Sequence, residues 1–282
     1  MTQRSSLHLK QVSWLVIDGW FGLIQRVDWS AVFAFLIGLL SGFLSITAGA
    51  AVTVVIPVLL ALGLSADAAN ATSRFSLALA GLLAAVAFVR QHTVDWKATV
   101  PLLFAAAAGT VAGSFVGVRI PSPDMLTIIV ITSAVSLGLV FLRPDRWLAA
   151  TPQRPVMPPR FAAALFFLLC LYEGVVAVDS ALLRLIALVY LLGYPIAVAN
   201  PTKVITGLVM LGVSSLIYGR AGQIDWGTAT PLTIGTLIGA AAAIPLACSV
   251  KAQRGIYRLL QVVVTAETVW LIVHWLRVQE IL

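Results

Sequence analysis

From residue 31 onward the chain is written in long apolar stretches separated by short polar ones. Residues 31–63 form the first, interrupted at "SITAGAA" (Ser45 to Ala51). A helix rises about 1.5 Å per residue and a hydrocarbon core is about 30 Å thick, so one unbroken helix over that range would overshoot a membrane. The pattern therefore predicts a break near Thr47–Gly49, with a shorter helical piece on either side. Apolar segments follow at 73–89, 98–118 and 125–142, then a hydrophilic connection from Arg143 to Arg160, rich in Pro and Arg. Residues 161–192 are again long and apolar, interrupted by "EGVVAVDSALLR" with Glu173, Asp179 and Arg184. Segments at 204–218, 227–247 and 256–276 complete this second set. The alternation of a membrane strand is absent, which argues against an outer-membrane barrel. The expected fold class is an all-α polytopic integral membrane protein of about 8–10 transmembrane segments, with a broken helix or hairpin in each half.

One polar phrase is written twice. Residues 90–102 read "RQHTVDWKATVPL" and residues 220–232 read "RAGQIDWGTATPL", 130 residues apart (220 − 90). At the same offset Leu62-Gly63 meets Leu192-Gly193, Ala69-Asn70 meets Ala199-Asn200, Thr72 meets Thr202, and Gly109 meets Gly239. No gap is needed from 51 to 112, so an internal repeat is expected. Within the phrase, Asp95 and Asp225 are expected to cap a helix, Trp96 and Trp226 to anchor it at the interface, and Arg90 and Arg220 to end the helix before it. The phrase reads as a structural hairpin. The domain boundaries expected are a first transmembrane repeat at 31–142, a hydrophilic linker at 143–160 and a second repeat at 161–282. Ahead of them, residues 7–29 mix apolar side chains with Lys10, Asp18, Arg26 and Asp28 and carry Trp14, Trp20 and Trp29. That mixture predicts an interfacial helix within residues 1–30 and lacks the pattern of a cleaved signal.

Composition excludes a soluble domain. Of 282 residues, 60% are hydrophobic and 10% charged, where a soluble domain carries about 25% charged residues. Mean hydropathy is +1.01. A net charge of +7 would suggest nucleic acid in a soluble protein. Here Lys and Arg sit mostly in short loops, where they set topology beside anionic lipid, so lipid is an expected partner and nucleic acid is not. Cys170 and Cys248 lie in apolar segments and suggest neither a metal site nor a disulfide. No cofactor is expected.

Repeats with broken apolar segments at corresponding places point to a secondary transporter. A broken helix leaves backbone N–H and C=O groups unpaired at membrane depth, tolerated only inside protein or beside a water-filled cavity. The breaks at about 45–51 and 173–184 are expected to meet near the midplane and form the substrate site. If each broken segment is a hairpin, each half makes an odd number of crossings and the halves are inverted. Inversion is the arrangement favoured.

A broken first helix, a Leu-Gly-x-x-x-x-x-Ala-Asn/Thr-x-Thr/Ser stretch, a Gly-x-Ile/Val-Asp-Trp loop and a following Pro-x-x-x-x-x-x-x-Gly helix, all duplicated, resemble the TauE/SafE sulfite-exporter family. The resemblance covers roughly residues 31–275 and is closest at "RAGQIDWGTATPLTIGTLIGA" (220–240). It implies a multi-pass permease of the bacterial inner (cytoplasmic) membrane for small sulfur-containing anions, sulfite or an organosulfonate such as sulfoacetate. Export and import both occur in the family. Members usually carry a glycine cluster at each break, often Gly-x-Gly-Gly-Gly. This chain has "ITAGAA" (46–51) and "VVAVDSALLR" (175–184) instead, with Asp179, Ser180 and Arg184 in the second. The departure shifts anion binding there from backbone towards side chains.

The candidate substrate-binding residues follow. Arg184 stands among Leu182, Leu183, Leu185 and Ile186, where a bidentate guanidinium suits an oxyanion; the alternative is an ion pair with Asp179 or Glu173. Asn70, Thr72 and Ser73, and Asn200 and Thr202, sit where apolar helices are expected to begin, with Arg74 and Lys203 on the first turns. A helix N-terminus is a ready anion site, and ordinary capping is the competing role. Arg74 equally suits a side chain snorkelling to headgroups. Thr47 and Gly49 belong to the first break, where Gly allows close approach of a ligand; Thr53 beside them suits small-residue packing better. Glu173 and Asp179 can take up coupling protons or pair with Arg184. The reading is a secondary transporter, with an anion channel or a non-transporting sensor as the alternative. A homodimer is left open. An intramembrane enzyme is disfavoured because no nucleophile–base pair or metal cluster is written in the chain.

Overall fold

The computed structural model describes residues 28–47, 51–141, 158–178, 180–247 and 250–279. The interfacial helix expected within residues 1–30 and the linker at 143–160 fall largely outside them. Ten α-helices are described: α1 Trp29–Thr47, α2 Ala51–Ala61, α3 Ala66–Arg90, α4 Trp96–Gly117, α5 Ser122–Phe141, α6 Pro159–Val175, α7 Ser180–Ile186, α8 Ile196–Arg220, α9 Trp226–Ala247 and α10 Val250–Val278. A π-helical turn, Ala187–Leu191, continues α7. No strand occurs among the described residues. Among the described residues, five helices are long and apolar enough to cross a membrane, within α1, α3, α4, α8 and α9, and shorter apolar helices lie in α2, α5 and α6.

The helix ends are set by short, readable signals. Asp28 opens α1 by accepting from the Ser30 N–H (3.0 Å) and hydroxyl (2.5 Å), and these bonds hold its carboxyl below the usual carboxylate range. Asp95 caps α4 through the Lys97 and Ala98 N–H groups (3.0 and 3.1 Å). Asp225 does the same for α9 with the Thr228 N–H (3.3 Å). Arg90 and Arg220 are the last residues of α3 and α8. The turns after them need a left-handed residue, supplied by His92 (φ 54°) and Gly222 (φ 73°). Thr93 N–H to Phe88 O (3.2 Å) and Gln223 N–H to Tyr218 O (3.1 Å) then close the helix ends. Both duplicated phrases are thus the hairpin expected of them.

α3 and α8 are the centre of the bundle. They pack on each other; α3 also packs on α9, and α8 on α4. The outer pairs are α1 with α9 and α4 with α6. In both, glycines let backbone meet backbone. A Cβ on Gly38 or Gly42 would run into the Leu232 and Thr236 carbonyls, and one on Gly235 or Gly239 into those of Phe35 and Leu39. On the other side Gly109 and Gly113 face the carbonyls of Phe167 and Leu171. Hydrophobic segregation does not drive association in lipid, so close packing of this kind supplies the attraction. Gly239→Leu is expected to force α1 from α9 at a cost of about 3 kcal/mol, seen as loss of the monodisperse peak in detergent chromatography. Gly138→Leu, where a Cβ meets nothing within 4 Å, should leave that peak unchanged.

Helix bounds recur at the offset seen in the sequence. Ala66–Arg90 corresponds to Ile196–Arg220, and Trp96–Gly117 to Trp226–Ala247, each 130 residues on. The second expected interruption is present: α6 stops at Val175 and Val176 is extended. The first was expected near Thr47–Gly49, and residues 48–50, between α1 and α2, lie outside the described residues. With 11 residues, α2 is about 16 Å long, half of a crossing.

Candidate functional site

Among the described residues, four charged side chains are no more than 2% exposed: Arg74 on α3, Glu173 on α6, Arg184 on α7 and Lys203 on α8; Glu267 on α10 is 5% exposed. Charge at membrane depth is expensive and turns towards a partner or a cavity. These four divide into three roles.

Arg74 belongs to the second break. α6 ends at Val175, and Val176 is extended (φ −127°, ψ 129°), which leaves the last carbonyls of the helix without helical partners. Side chains from α3 and α8 replace them. Arg74 Nη1 donates to Glu173 O (2.8 Å), and Asn70 Nδ2 to Val175 O (3.0 Å). The Tyr218 hydroxyl lies between Gly174 O (3.1 Å) and Val175 O (2.9 Å). Asn70 Oδ1 accepts from the Ala177 N–H (3.1 Å), and the guanidinium of Arg74 stacks 4.7 Å from the Tyr218 ring centre. Arg74 is therefore buried, which overturns the snorkelling alternative.

The expected anion sites at helix N-termini are also corrected. α3 starts at Ala66 and α8 at Ile196, so Asn70, Thr72, Ser73 and Arg74, like Asn200, Thr202 and Lys203, lie inside helices rather than at free ends. The residues that cap these starts lie further back, Ser65 for α3 and Pro195 for α8. Thr72 Oγ1 accepts from the Asp225 N–H (3.1 Å). Thr202 Oγ1 pairs with Thr99 Oγ1 (2.9 Å), which itself donates to Asp95 O (2.7 Å). Each threonine thus holds the Asp-Trp loop of the other half. Ser73 donates to Asn70 O (3.0 Å) and Thr47 to Phe43 O (2.7 Å), both within their own helices. Asn200 is half-buried and Thr53 buried. Ser180 opens α7, while Gly49 and Asp179 lie outside the described residues.

Arg184 is paired as its alternative role required. Its Nε stands 3.2 Å from Glu173 Oε1. The approach is too oblique for a hydrogen bond, and among the described residues neither carboxylate oxygen of Glu173 accepts one. Nη1 donates to Met210 Sδ (3.1 Å), a weak acceptor. The guanidinium lies on the bare backbone of α8 at Gly207, where a Cβ would come within 2.8 Å of Nη1 and 2.9 Å of Nη2. Gly207, Met210 and Tyr218 are parts of this centre that sequence reasoning missed. Gly207 carries a usable signal, one helical turn beyond Lys203 on the same face; Tyr218 carries none.

Lys203 has no hydrogen-bond partner for Nζ among the described residues. It opens with Arg184 onto a small cavity of about 40 Å³, room for a few waters or one small oxyanion. The walls come from Ser45 and Ile46 at the end of α1, Leu77 and Gly81 on α3, Ala181 on α7, and Val204, Gly207, Leu208 and Leu211 on α8. The last turn of α1 and the first turn of α7 thus face the same space.

Membrane-length helices packed around buried charge define a multi-pass helical membrane protein. A family model, "Sulfite exporter TauE/SafE", matches residues 34–271, and the chain belongs to that family. Similar curated proteins are "Probable membrane transporter protein YfcA" of Escherichia coli strain K12 and its counterpart in Escherichia coli O157:H7. Each is 25% identical over 210 residues, covering 73% of this chain and 76% of the relative. No solved structure matches the chain.

Proposed function

We propose that the protein is a secondary transporter that carries a small sulfur-containing anion, sulfite or an organosulfonate such as sulfoacetate, across the bacterial inner membrane. The anion binds between Lys203 and Arg184, in the cavity where the broken segments of two inverted repeats, 31–142 and 161–282, approach each other. One observation carries this reading: a lysine 2% exposed, with no hydrogen-bond partner for Nζ among the described residues, beside an arginine on a shared cavity. A buried cation left without a partner costs several kcal/mol, and an anionic ligand removes that cost. The family supplies sulfur oxyanions as the class, and the cavity size agrees with a small one.

A thermal-shift series on detergent-purified protein tests it, using sulfite, sulfate, thiosulfate, sulfoacetate, isethionate and taurine. Ligands that bind the folded state raise its apparent stability by about 2.7 kcal/mol at a hundred times their Kd. At least one sulfur anion is expected to raise the melting temperature in a concentration-dependent way, and neutral analogues are expected to do nothing. Stabilisation by neutral and anionic solutes alike would sink the reading.

A further inference from the structure

Resting on that anion site, we propose that Glu173 carries a proton that moves with the anion, because the anion and the Glu173 carboxylate compete for Arg184.

The geometry is that of a pair built to exchange partners. Glu173 is 1% exposed, and neither of its oxygens accepts a hydrogen bond among the described residues. Its neighbouring charge is Arg184 Nε at 3.2 Å, off the hydrogen-bond line. A buried carboxylate is well held when its lone pairs are filled by donors; here they are empty. Among the described residues no other side chain hydrogen-bonds that carboxylate. On α3, Arg74 donates to the main-chain oxygen of Glu173, not to its carboxylate. On α8, the Tyr218 hydroxyl is engaged with the Gly174 and Val175 carbonyls, and Lys203 opens onto the cavity. On α6 itself, Cys170 lies one turn before and directs its thiol to Met210 Sδ (3.4 Å). On α4, Thr110 and Ser114 are buried and uncharged.

When an anion enters beside Lys203, Arg184 turns its free N–H groups to the anion's oxygens. Glu173, having lost its ion-pair partner, is then a second negative charge in a poorly solvated space, while Arg74 stays engaged with its main-chain oxygen. It takes one proton from water, forming one O–H bond, and becomes neutral. Release of the anion returns Arg184 to Glu173 and the proton to water. One proton therefore accompanies each anion, and the direction of net movement follows whichever gradient is larger.

Proton uptake on binding is the direct test. Isethionate and sulfoacetate are the probes, since a sulfonate stays ionised and carries no proton itself. Titration calorimetry in two buffers of different ionisation enthalpy is expected to show close to one proton taken up per anion bound, with wild-type affinity falling about tenfold per pH unit while Glu173 is ionised. In Glu173→Gln, the competing charge is gone: binding is expected to tighten and to lose its pH dependence. Wild-type binding with no proton uptake would overturn the proposal while leaving the anion site standing. A Glu173→Gln protein that kept the wild-type pH profile would do the same. If neither sulfonate binds wild type and the wider anion panel is silent, the site itself falls and the coupling with it. Because wild-type binding without proton uptake overturns the proposal by itself, poor folding of the variant does not protect the idea.

Discussion

Lys203→Met is expected to make the protein more stable and, at the same time, unresponsive to anions. Methionine keeps the length of the lysine side chain and removes its charge, in a place where Nζ meets no partner among the described residues. Removing an uncompensated buried cation relieves a penalty of several kcal/mol, so a gain of roughly 2 kcal/mol or more in unfolding free energy is a conservative expectation. The melting temperature without ligand should rise, and the increment produced by isethionate or sulfite should vanish. The two changes together discriminate between roles. A lysine held by a structural partner would lose stability on substitution, and a lysine at an unused site would leave the anion response intact. Either result would remove Lys203 from the site. A residue retained at a cost to stability is the usual mark of function.

Arg184→Ala has the opposite sign. It strips Glu173 of its charge partner and leaves a carboxylate 1% exposed with no hydrogen bonds among the described residues. Breaking one side of a buried pair typically costs about 3–5 kcal/mol, enough to reduce severely the yield of folded protein. Arg184→Ala with Glu173→Gln should recover most of that loss, since the orphaned charge is gone as well. The two single effects and the double effect form a cycle whose coupling energy is expected to exceed about 1.5 kcal/mol. Simple additivity, measured by thermal unfolding in one detergent, would mean that the 3.2 Å approach contributes nothing. The double variant should stay blind to anions, because charge neutrality restores the fold and not the ligand contact.

These side chains also show what a sequence can and cannot carry. The duplicated Arg–Asp-Trp phrases fixed four helix ends correctly, because capping and termination are local chemistry. The interruption after α6 was visible because the polar residues Glu173, Asp179 and Arg184 break the apolar run over residues 161–192. Arg184 stood out because charge is rare in apolar stretches, whereas Lys203 was reached through a helix start that the structure places earlier, at Ile196. Asn70 and Arg74 were misplaced because their partners, Val175, Ala177 and the Glu173 carbonyl, lie about a hundred residues away. Nothing local announces such a contact. Tyr218 and the glycine grooves were hidden for the same reason: an aromatic or a glycine in a membrane helix has many uses, and only packing selects one.

The exchange of helices between halves has a consequence for biosynthesis. α1 finds its glycine-lined groove on α9, and the carbonyls exposed after α6 are capped by Asn70 and Arg74 from α3. When the first half leaves the ribosome and enters the bilayer, α1 has bare backbone facing lipid and Arg74 has no carbonyl to bind. Neither half is finished until the other arrives, so assembly waits for the last helices to be inserted. A chain truncated after residue 142 would therefore sit in the membrane as an incomplete substrate for quality-control proteases, whereas the two halves made together from separate messages have the complementary surfaces to find each other.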